Sequence, residues 1–256
     1  GGALALYNEN LWGLHEQHQL HPRPASHPLA EHPHWRRWPW PTTSGTVTLA
    51  ASLGVWRFHP TYYDEEKGDY EPFPWIGDFL LFLKDQTGPY VVSWDSKTSA
   101  SQYGKPGPKP FEKRSSSREI AKAEAREKVY RAYMSELRIP IRRVSGSDID
   151  ADVRMNLLRL LKLSARSPEL TDSLTCDLAC AFSEALKTGE PPTSVIRRMV
   201  HDPRQWPHAK TLLDQLIWHR KLRVDLFRPI HVNRPLEPEQ RDVLDVYANL
   251  YTRESS

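Results

Sequence analysis

The 256-residue sequence predicts an α/β fold with a mixed sheet, followed by a second, mostly α-helical domain. Two apolar, strand-like segments at 76–84 and 89–97 flank a short polar turn, and a long helical pattern follows at 119–137. Strands that alternate with helices indicate an α/β domain. Three consecutive helical patterns after residue 165 indicate the helical domain. We therefore predict a first domain over 1–164 and a second over 165–256.

Residues 1–45 are predicted to form an arm of the first domain that is rich in proline, tryptophan and histidine. Six of the eleven histidines lie here, and the string HPHWRRWPWP contains too much proline for a continuous helix or a central strand. The histidines lack the spacing of metal ligands on a helix. We expect an extended arm whose tryptophans pack on the rest of the domain.

Hydrophobic periodicity predicts the other elements of the first domain. Segment 54–58 is typical of a short strand, and the charged DEEKGD string after it is typical of a turn. A strand at 139–144 and a helix at 149–163 are expected to complete the domain. The helix over 119–137 has an apolar face formed by Val129, Tyr130, Tyr133 and Met134.

The second domain is predicted to have a winged-helix arrangement. Three helices closed by a β-hairpin form a winged variant of the helix-turn-helix. The helices are expected at 169–187, 192–200 and 207–219, the two short strands at 221–227 and 229–235, and a last helix at 237–251.

Cys176 and Cys180 are the only cysteines, and their spacing places them on one face of the first of these three helices. Two cysteines without nearby histidines cannot complete a zinc site. We therefore expect them to form a pair in the core.

The two strands at 76–84 and 89–97 form a hairpin whose register follows from its turn. With residues 85–88 as the turn, Lys84 pairs with Pro89, and the same register places Asp78 directly opposite Asp95. Side chains at opposed positions lie about 5 Å apart on one face. Lys97 shares that face, because side chains alternate along a strand.

Two opposed carboxylates in an apolar hairpin repel each other unless a positive group lies between them. A divalent cation fills this role, and Mg²⁺ and Mn²⁺ prefer hard carboxylate oxygens. Such a cation offsets the charge that develops on a phosphate, while an ammonium can orient the attacking water. We therefore predict that Asp78 and Asp95 bind Mg²⁺ or Mn²⁺ and that, with Lys97, they hydrolyse a phosphodiester.

The segment after the hairpin, 98–118, is predicted to be a basic loop that binds DNA. It is rich in Gly, Pro and Ser, and it contains five basic residues and one acidic residue. Because it follows the catalytic strand directly, we expect it to track the phosphate backbone. The residues predicted to contact DNA are Lys105, Lys109, Lys113 and Arg114.

The residues of the hairpin also match a known pattern. Asp78 followed by Asp95-Ser96-Lys97 resembles the PD-(D/E)xK nuclease core, in which an Asp opens one strand and D/E-x-K closes the next. Other segments resemble the TnsA family, the endonuclease subunit of heteromeric transposases. These segments are HEQHQLHP at 15–22, Gly54, His59-Pro60, REKVYRAYM at 126–134, Ile139, Ile141, Asp148-Ile149, Asn156 and the tail LLDQLIWHRKLRVDLFRPIHVNRPL.

This resemblance spans most of the chain and implies a restriction-endonuclease-like domain followed by a winged-helix domain. It implies a Mg²⁺-dependent DNA endonuclease that nicks the 5′ ends of a transposon beside a separate DDE transposase subunit. The second domain is expected to contact an AAA+ ATPase regulator and could also contact DNA.

No membrane partner is expected, because no apolar run approaches about 20 residues. The bacterial cytoplasm is the expected compartment.

Two positions depart from the family pattern. The family has Gln where this sequence has Asp95, so the sequence is closer here to the general nuclease pattern. The family also uses a Glu from its first helix as an extra metal ligand, and its spacing from HEQ places that Glu near or before Gly1. Glu9 is the nearest candidate for this ligand, whereas Glu16 is expected to be structural.

Other functions fit the same residues. A stand-alone restriction or repair-type nuclease would share the hairpin but cut without a partner. A non-catalytic DNA-binding assembly module would use the winged helix alone, and metal-dependent cleavage would exclude it. We expect the second domain to serve mainly a protein partner, because its third helix is strongly apolar. The apolar residues are Leu212, Leu213, Leu216, Ile217 and Trp218.

Overall fold

The computed structural model describes residues 2–103, 105 and 116–253, which form a mixed α/β structure and so confirm the predicted class. They divide into two compact units. The sheet unit comprises Glu9–Asp148 and the residues from Asn249 onward, and the helical unit comprises Ile149–Ala248 and the residues up to Asn8. Among the described residues, no helix has the length and apolar character needed to cross a bilayer.

The helices and strands are numbered in chain order. The first thirteen are α1 (Gly2–Leu6), β1 (Leu11–Glu16), β2 (Gln19–Leu20), β3 (Ala25–Ser26), β4 (Thr42–Thr43), α2 (Thr46–Ser52), β5 (Thr61–Asp64), β6 (Asp69–Pro72), β7 (Trp75–Ile76), β8 (Phe79–Asp85), β9 (Gly88–Lys97), α3 (Ser117–Glu136) and β10 (Ile141–Ser145). The remaining helices are α4 (Ala151–Ser164), α5 (Asp172–Thr188), α6 (Pro192–Met199), α7 (Trp206–Trp218) and α8 (Val243–Val246).

A four-stranded mixed sheet in the order β1-β8-β9-β10 forms the centre of the sheet unit. β8 pairs antiparallel with β1 and with β9, and β9 pairs parallel with β10. The predicted hairpin register is confirmed, because Lys84 pairs with Pro89, although the turn is tightened to residues 86–87. The same register places Asp78, which immediately precedes β8, opposite Asp95.

Helix α3 covers one face of this sheet. It begins with a capping box, in which the Ser116 side chain accepts from the Glu119 backbone N–H and the Glu119 carboxylate accepts from the Ser116 backbone N–H. The face of the sheet that carries Leu80 and Val91 packs on the apolar side of the helix. All four predicted apolar positions of α3 are buried: Val129, Tyr130, Tyr133 and Met134.

The N-terminal arm contains short strands, and β1 is an edge strand of the main sheet. Trp35 and Trp40 pack against the hydrophobic core, as the composition of the arm predicted. The carboxylate of Glu136, at the end of α3, accepts hydrogen bonds from Thr43 and Ser44. The arm is therefore fixed both to the sheet and to the C-terminal end of α3.

Two predicted features of local structure are wrong. Segment 54–58 contains a 3-10 turn at Trp56–Phe58 instead of a strand. Cys176 and Cys180 are exposed and free, not buried. The buried positions of α5 are Leu178, Phe182 and Ala185, and the cysteines lie off that stripe of the helix.

The predicted wing also differs from the structure. Within 221–235 the structure has no strand, and Val224 forms only an isolated bridge to Pro238. The backbone carbonyls of Leu226 and Arg228 instead accept hydrogen bonds from the Asn156 side chain, which ties this segment to α4. The predicted helix over 237–251 is reduced to the short α8 and a 3-10 turn.

The boundary between the units lies before Ile149, not after residue 164 as predicted. Helix α4 packs on α7 within the helical unit. Its buried residues include Val153, Leu157 and Leu160. Hydrophobic periodicity predicts that these residues are buried, but it does not predict which of the two units they pack in. The apolar residues of α7 are likewise mostly buried in this unit, so they offer little surface to a partner.

Buried His27 is expected to make the sheet unit less stable in acid. Burial lowers the pKa of His27 to about 4, and its Nδ1 accepts a hydrogen bond from the Leu29 backbone N–H. As the pH falls from about 6.5 towards 4, the unfolded chain binds a proton that the fold excludes, which costs up to about 3 kcal/mol. This stability is fully present above pH 6.5.

Urea unfolding at several pH values tests this expectation. The unfolding free energy of the unchanged protein should fall more steeply between pH 6.5 and 4 than that of His27→Gln. Equal slopes in the two proteins would contradict a neutral, buried imidazole at this position.

Candidate active site

Asp78, Asp95 and Lys97 lie together at one end of the β8–β9 hairpin. The Nζ atom of Lys97 is 2.7 Å from Asp95 Oδ1 and 3.1 Å from Asp78 Oδ2. The Ser96 backbone N–H donates a further hydrogen bond of 2.8 Å to Asp78 Oδ2. The structure thus brings together the three predicted residues, and one ammonium group bridges the two carboxylates.

The alternation of side chains places this cluster on the face of the sheet that α3 covers. On β9, Val91 packs in the core beneath α3, and Ser93 Oγ forms a hydrogen bond with the Tyr130 hydroxyl. Asp95 and Lys97 continue the same alternation past the apolar core. The helix therefore seals the apolar part of this face and leaves its carboxylate end accessible.

A cavity of about 270 Å³ lies at this end of the sheet, against the first half of α3. Helix α3 contributes Lys122 and Arg126, whose spacing of four residues places them on one side of the helix. The Arg126 guanidinium donates a hydrogen bond to the Ile76 carbonyl, two residues before Asp78. The lining residues are Trp75, Gly77, Asp78, Asp95, Lys97, Lys105, Glu119, Lys122, Ala123, Arg126, Glu127 and Tyr130.

Each carboxylate of the cavity is held by a neighbouring group, whereas several of its cations form no ion pair with a described residue. Glu127 accepts from Arg131 at 2.7 Å and from Arg143 at 2.9 Å. Glu119 caps α3, and Lys97 bridges the two aspartates. Within the described part of the chain, the remaining cations form no ion pair; they are Lys105, Lys122 and Arg126. The part of the cavity lined by these three cations therefore suits an anion such as a phosphate.

Burial and neighbouring charges change the pKa values of the cluster. Burial raises the pKa of the Asp95 carboxyl, and the charges of Asp78 and Glu127 act in the same direction, whereas Lys97 opposes them. Burial acts to lower the pKa of Lys97, but Asp95 and Asp78 outweigh it and raise that pKa. Lys97 is therefore held as an ammonium, and a further positive charge near Asp95 would be favourable.

The two aspartates fit a hard divalent cation. In the described structure, Asp78 Oδ1 and Asp95 Oδ2 accept no hydrogen bond, so each carboxylate keeps one oxygen for a ligand. No group of three or more His, Cys, Asp or Glu side chains placed to hold a metal occurs among the described residues. Two carboxylates suit Mg²⁺, which commonly takes its other ligands from water and substrate phosphate.

The structure does not bring Glu9 to this site. β1 runs antiparallel to β8, and Leu11 pairs with Leu83. Leu83 lies about 17 Å along the strand from Asp78, so Glu9 is at the opposite end of the sheet. The residue beside Asp78 is Gln17, whose backbone N–H donates to the Asp78 carbonyl at 2.8 Å. Glu9 is therefore wrong as a third metal ligand in this structure.

Of the residues predicted to contact DNA, Lys105 lines the cavity. Lys109, Lys113 and Arg114 lie outside the described residues. Lys122 and Arg126 also line the cavity and are not among the predicted site residues. Their spacing of one helical turn, in the helix that follows the basic loop, was the available signal.

His18 is a further neighbour of Asp78 and is not among the predicted site residues. Its ring lies so close to Gly77 that a Cβ there would be 2.1 Å from His18 Cε1, so glycine is required while the ring stays in this position. Within the described structure both ring nitrogens are buried without a hydrogen-bond partner. Burial lowers the pKa of His18 to about 4, which keeps this packed ring neutral.

Comparison with known proteins does not assign the chain to a family. No protein-family model matches it, and no curated protein matches it.

Proposed function

We propose that this chain is a metal-dependent DNA endonuclease that hydrolyses a phosphodiester at Asp78, Asp95 and Lys97. The observation that carries the proposal is the bridged pair, in which Lys97 lies within hydrogen-bond distance of both opposed carboxylates. The order and register of these residues resemble the PD-(D/E)xK core. A restriction-endonuclease-like fold of the sheet unit belongs to the same proposal, supported by the mixed sheet with α3 across it.

In this proposal the carboxylates of Asp78 and Asp95 would hold Mg²⁺ or Mn²⁺. When bound, the cation supplies positive charge that offsets the negative charge developing on the phosphate. The Lys97 ammonium donates a hydrogen bond to the attacking water or to a non-bridging phosphate oxygen. The water oxygen bonds to phosphorus while the bond from phosphorus to the leaving sugar oxygen breaks. The attacking water gives up a proton to solvent, and the leaving sugar oxygen takes up a proton from solvent to become a hydroxyl. Lys105, Lys122 and Arg126 bind neighbouring phosphates.

We further propose a TnsA-like role, in which the chain nicks the 5′ ends of a transposon beside a DDE transposase subunit and an AAA+ ATPase regulator. The resemblance at 15–22 and 126–134 supports this role. The consecutive helices α5, α6 and α7 support a helix-turn-helix in the helical unit, whereas the described residues contain no two-stranded wing. A stand-alone nuclease is the alternative, and it would cut without partner proteins.

Metal dependence tests the enzymatic proposal. The full chain, alone and with the proteins encoded beside it, is incubated with supercoiled DNA in Mg²⁺, in Mn²⁺ or in EDTA. We expect nicked circles with either cation, none in EDTA, and recovery when excess Mg²⁺ is added back. Cleavage that persists in EDTA, or no cleavage under any of these conditions, would overturn the proposal. Cleavage by the chain alone would favour the stand-alone nuclease.

A further inference from the structure

A second cavity in the sheet unit, of about 1030 Å³, is larger than the candidate active site. Its lining comes from the N-terminal arm, the C-terminal end of α3, and residues of β9 and β10. Four arginines contribute to this lining, and the cavity is called the arginine groove below. We propose that the arginine groove binds a single-stranded nucleic acid, with guanidinium groups on the phosphates and aromatic rings stacked on the bases.

The aromatic side of the groove consists of Trp38, Trp40 and Tyr90. The rings of Trp38 and Trp40 are nearly parallel, with centroids 5.6 Å apart and an interplanar angle of 14°. Trp38 is 44% exposed although it rests on the hairpin turn, where a Cβ at Gly88 would lie 3.0 Å from its ring. An exposed, supported ring is a platform for unpaired bases, whereas the bases of a duplex are already stacked on each other.

The basic side of the groove consists of Arg131, Arg138, Arg143 and Arg253. No described lining residue of the groove is acidic. Glu127 pairs with both Arg131 and Arg143, and Asp85 pairs with Arg253, so two carboxylates outside the lining face four guanidinium groups. Arg138 is exposed and, in the part of the chain that the structure describes, forms no ion pair. This excess of positive charge suits a polyanion.

The groove also lies close to the candidate active site. Arg143 pairs with Asp95 in the parallel β9–β10 ladder, so one strand spacing of about 5 Å separates their backbones. Glu127 lines the active-site cavity and holds two arginines of the groove. A nucleic acid in the groove therefore passes beside the carboxylates. Binding in the groove requires no cleavage, so the inference goes beyond the proposed function.

Binding of a fluorescein-labelled oligothymidylate of about 15 nucleotides to the full chain tests the proposal, with anisotropy and tryptophan quenching as readouts. The test variant is Trp38→Ala/Arg138→Gln. The matched control is Trp56→Ala/Arg57→Gln, because Trp56 is also 44% exposed and neither residue lines the groove. We expect the test variant to bind at least about tenfold more weakly and the control to bind like the unchanged protein.

Salt dependence and a second variant sharpen the result. Arg138→Gln alone should reduce the slope of log affinity against log salt by about 0.7, and it carries the test if Trp38→Ala disturbs folding. Binding is measured in EDTA, where metal-dependent cleavage cannot occur, so loss of binding is distinguished from loss of cleavage. Unchanged affinity for the oligothymidylate in both Trp38→Ala/Arg138→Gln and Arg138→Gln would overturn the proposal. The proposal would also be overturned if a DNA duplex bound more tightly than the oligothymidylate and its affinity did not change on Trp38→Ala.

Discussion

Asp78→Asn should reduce nicking by at least about a hundredfold without unfolding the protein. The amide oxygen can still accept the hydrogen bond that Ser96 donates to Asp78, so the local backbone is retained. The amide lacks the negative charge that attracts Lys97 and a divalent cation. Full cleavage by Asp78→Asn, under conditions in which the unchanged protein nicks DNA, would remove Asp78 from the proposed catalytic site.

Asp95→Asn and Lys97→Met should also abolish nicking, but their effects on thermal stability should have opposite signs. Asp95→Asn removes a carboxylate whose charged form is disfavoured by burial and by Asp78, so the fold should gain stability. Lys97→Met leaves two opposed carboxylates without their bridging ammonium, so stability should fall and added Mg²⁺ should restore part of it. Lys128→Met is the control, because Lys128 is an exposed residue of α3 outside the cavity.

The hairpin that carries Asp78, Asp95 and Lys97 could be predicted from the sequence because its determinants are local. A short turn fixes the pairing of Lys84 with Pro89, and the two-residue period of a strand then fixes which side chains share a face. The apolar face of α3 followed in the same way from periodicity. Local pairing and strand alternation are therefore sufficient to place Asp78, Asp95 and Lys97 together.

The remaining features depend on contacts between distant segments. The distance of Glu9 along the chain from the HEQ string does not determine its position in space, because β1 runs antiparallel to β8 and carries Glu9 away from Asp78. The wing predicted at 221–235 does not form, because the Asn156 side chain donates hydrogen bonds to two backbone carbonyls of that segment. Helix α4 belongs to the helical unit and not to the predicted first domain. Its apolar stripe alone does not determine which helix it packs on.

Arg159→Met should destabilise the helical unit by about 3 kcal/mol, since it leaves a buried carboxylate without its partner. Arg159 on α4 forms an ion pair of 3.0 Å with Asp214 of α7, and Asp214 is 0% exposed. Burial raises the pKa of Asp214, against the opposing charges of Arg159 and Lys210. Arg159 also donates to the Ile230 carbonyl at 2.9 Å, a hydrogen bond that methionine cannot replace.

The double variant Arg159→Met/Asp214→Leu should recover most of this loss, because it removes both charges and leaves an apolar contact of similar volume. The loss in the single variant should also shrink as the pH falls, since an unpaired Asp214 can then bind a proton and lose its charge. Urea unfolding followed by helical circular dichroism measures both effects. Equal destabilisation in the single and double variants, unchanged with pH, would show that Arg159 acts through Ile230 and packing instead of through the buried carboxylate.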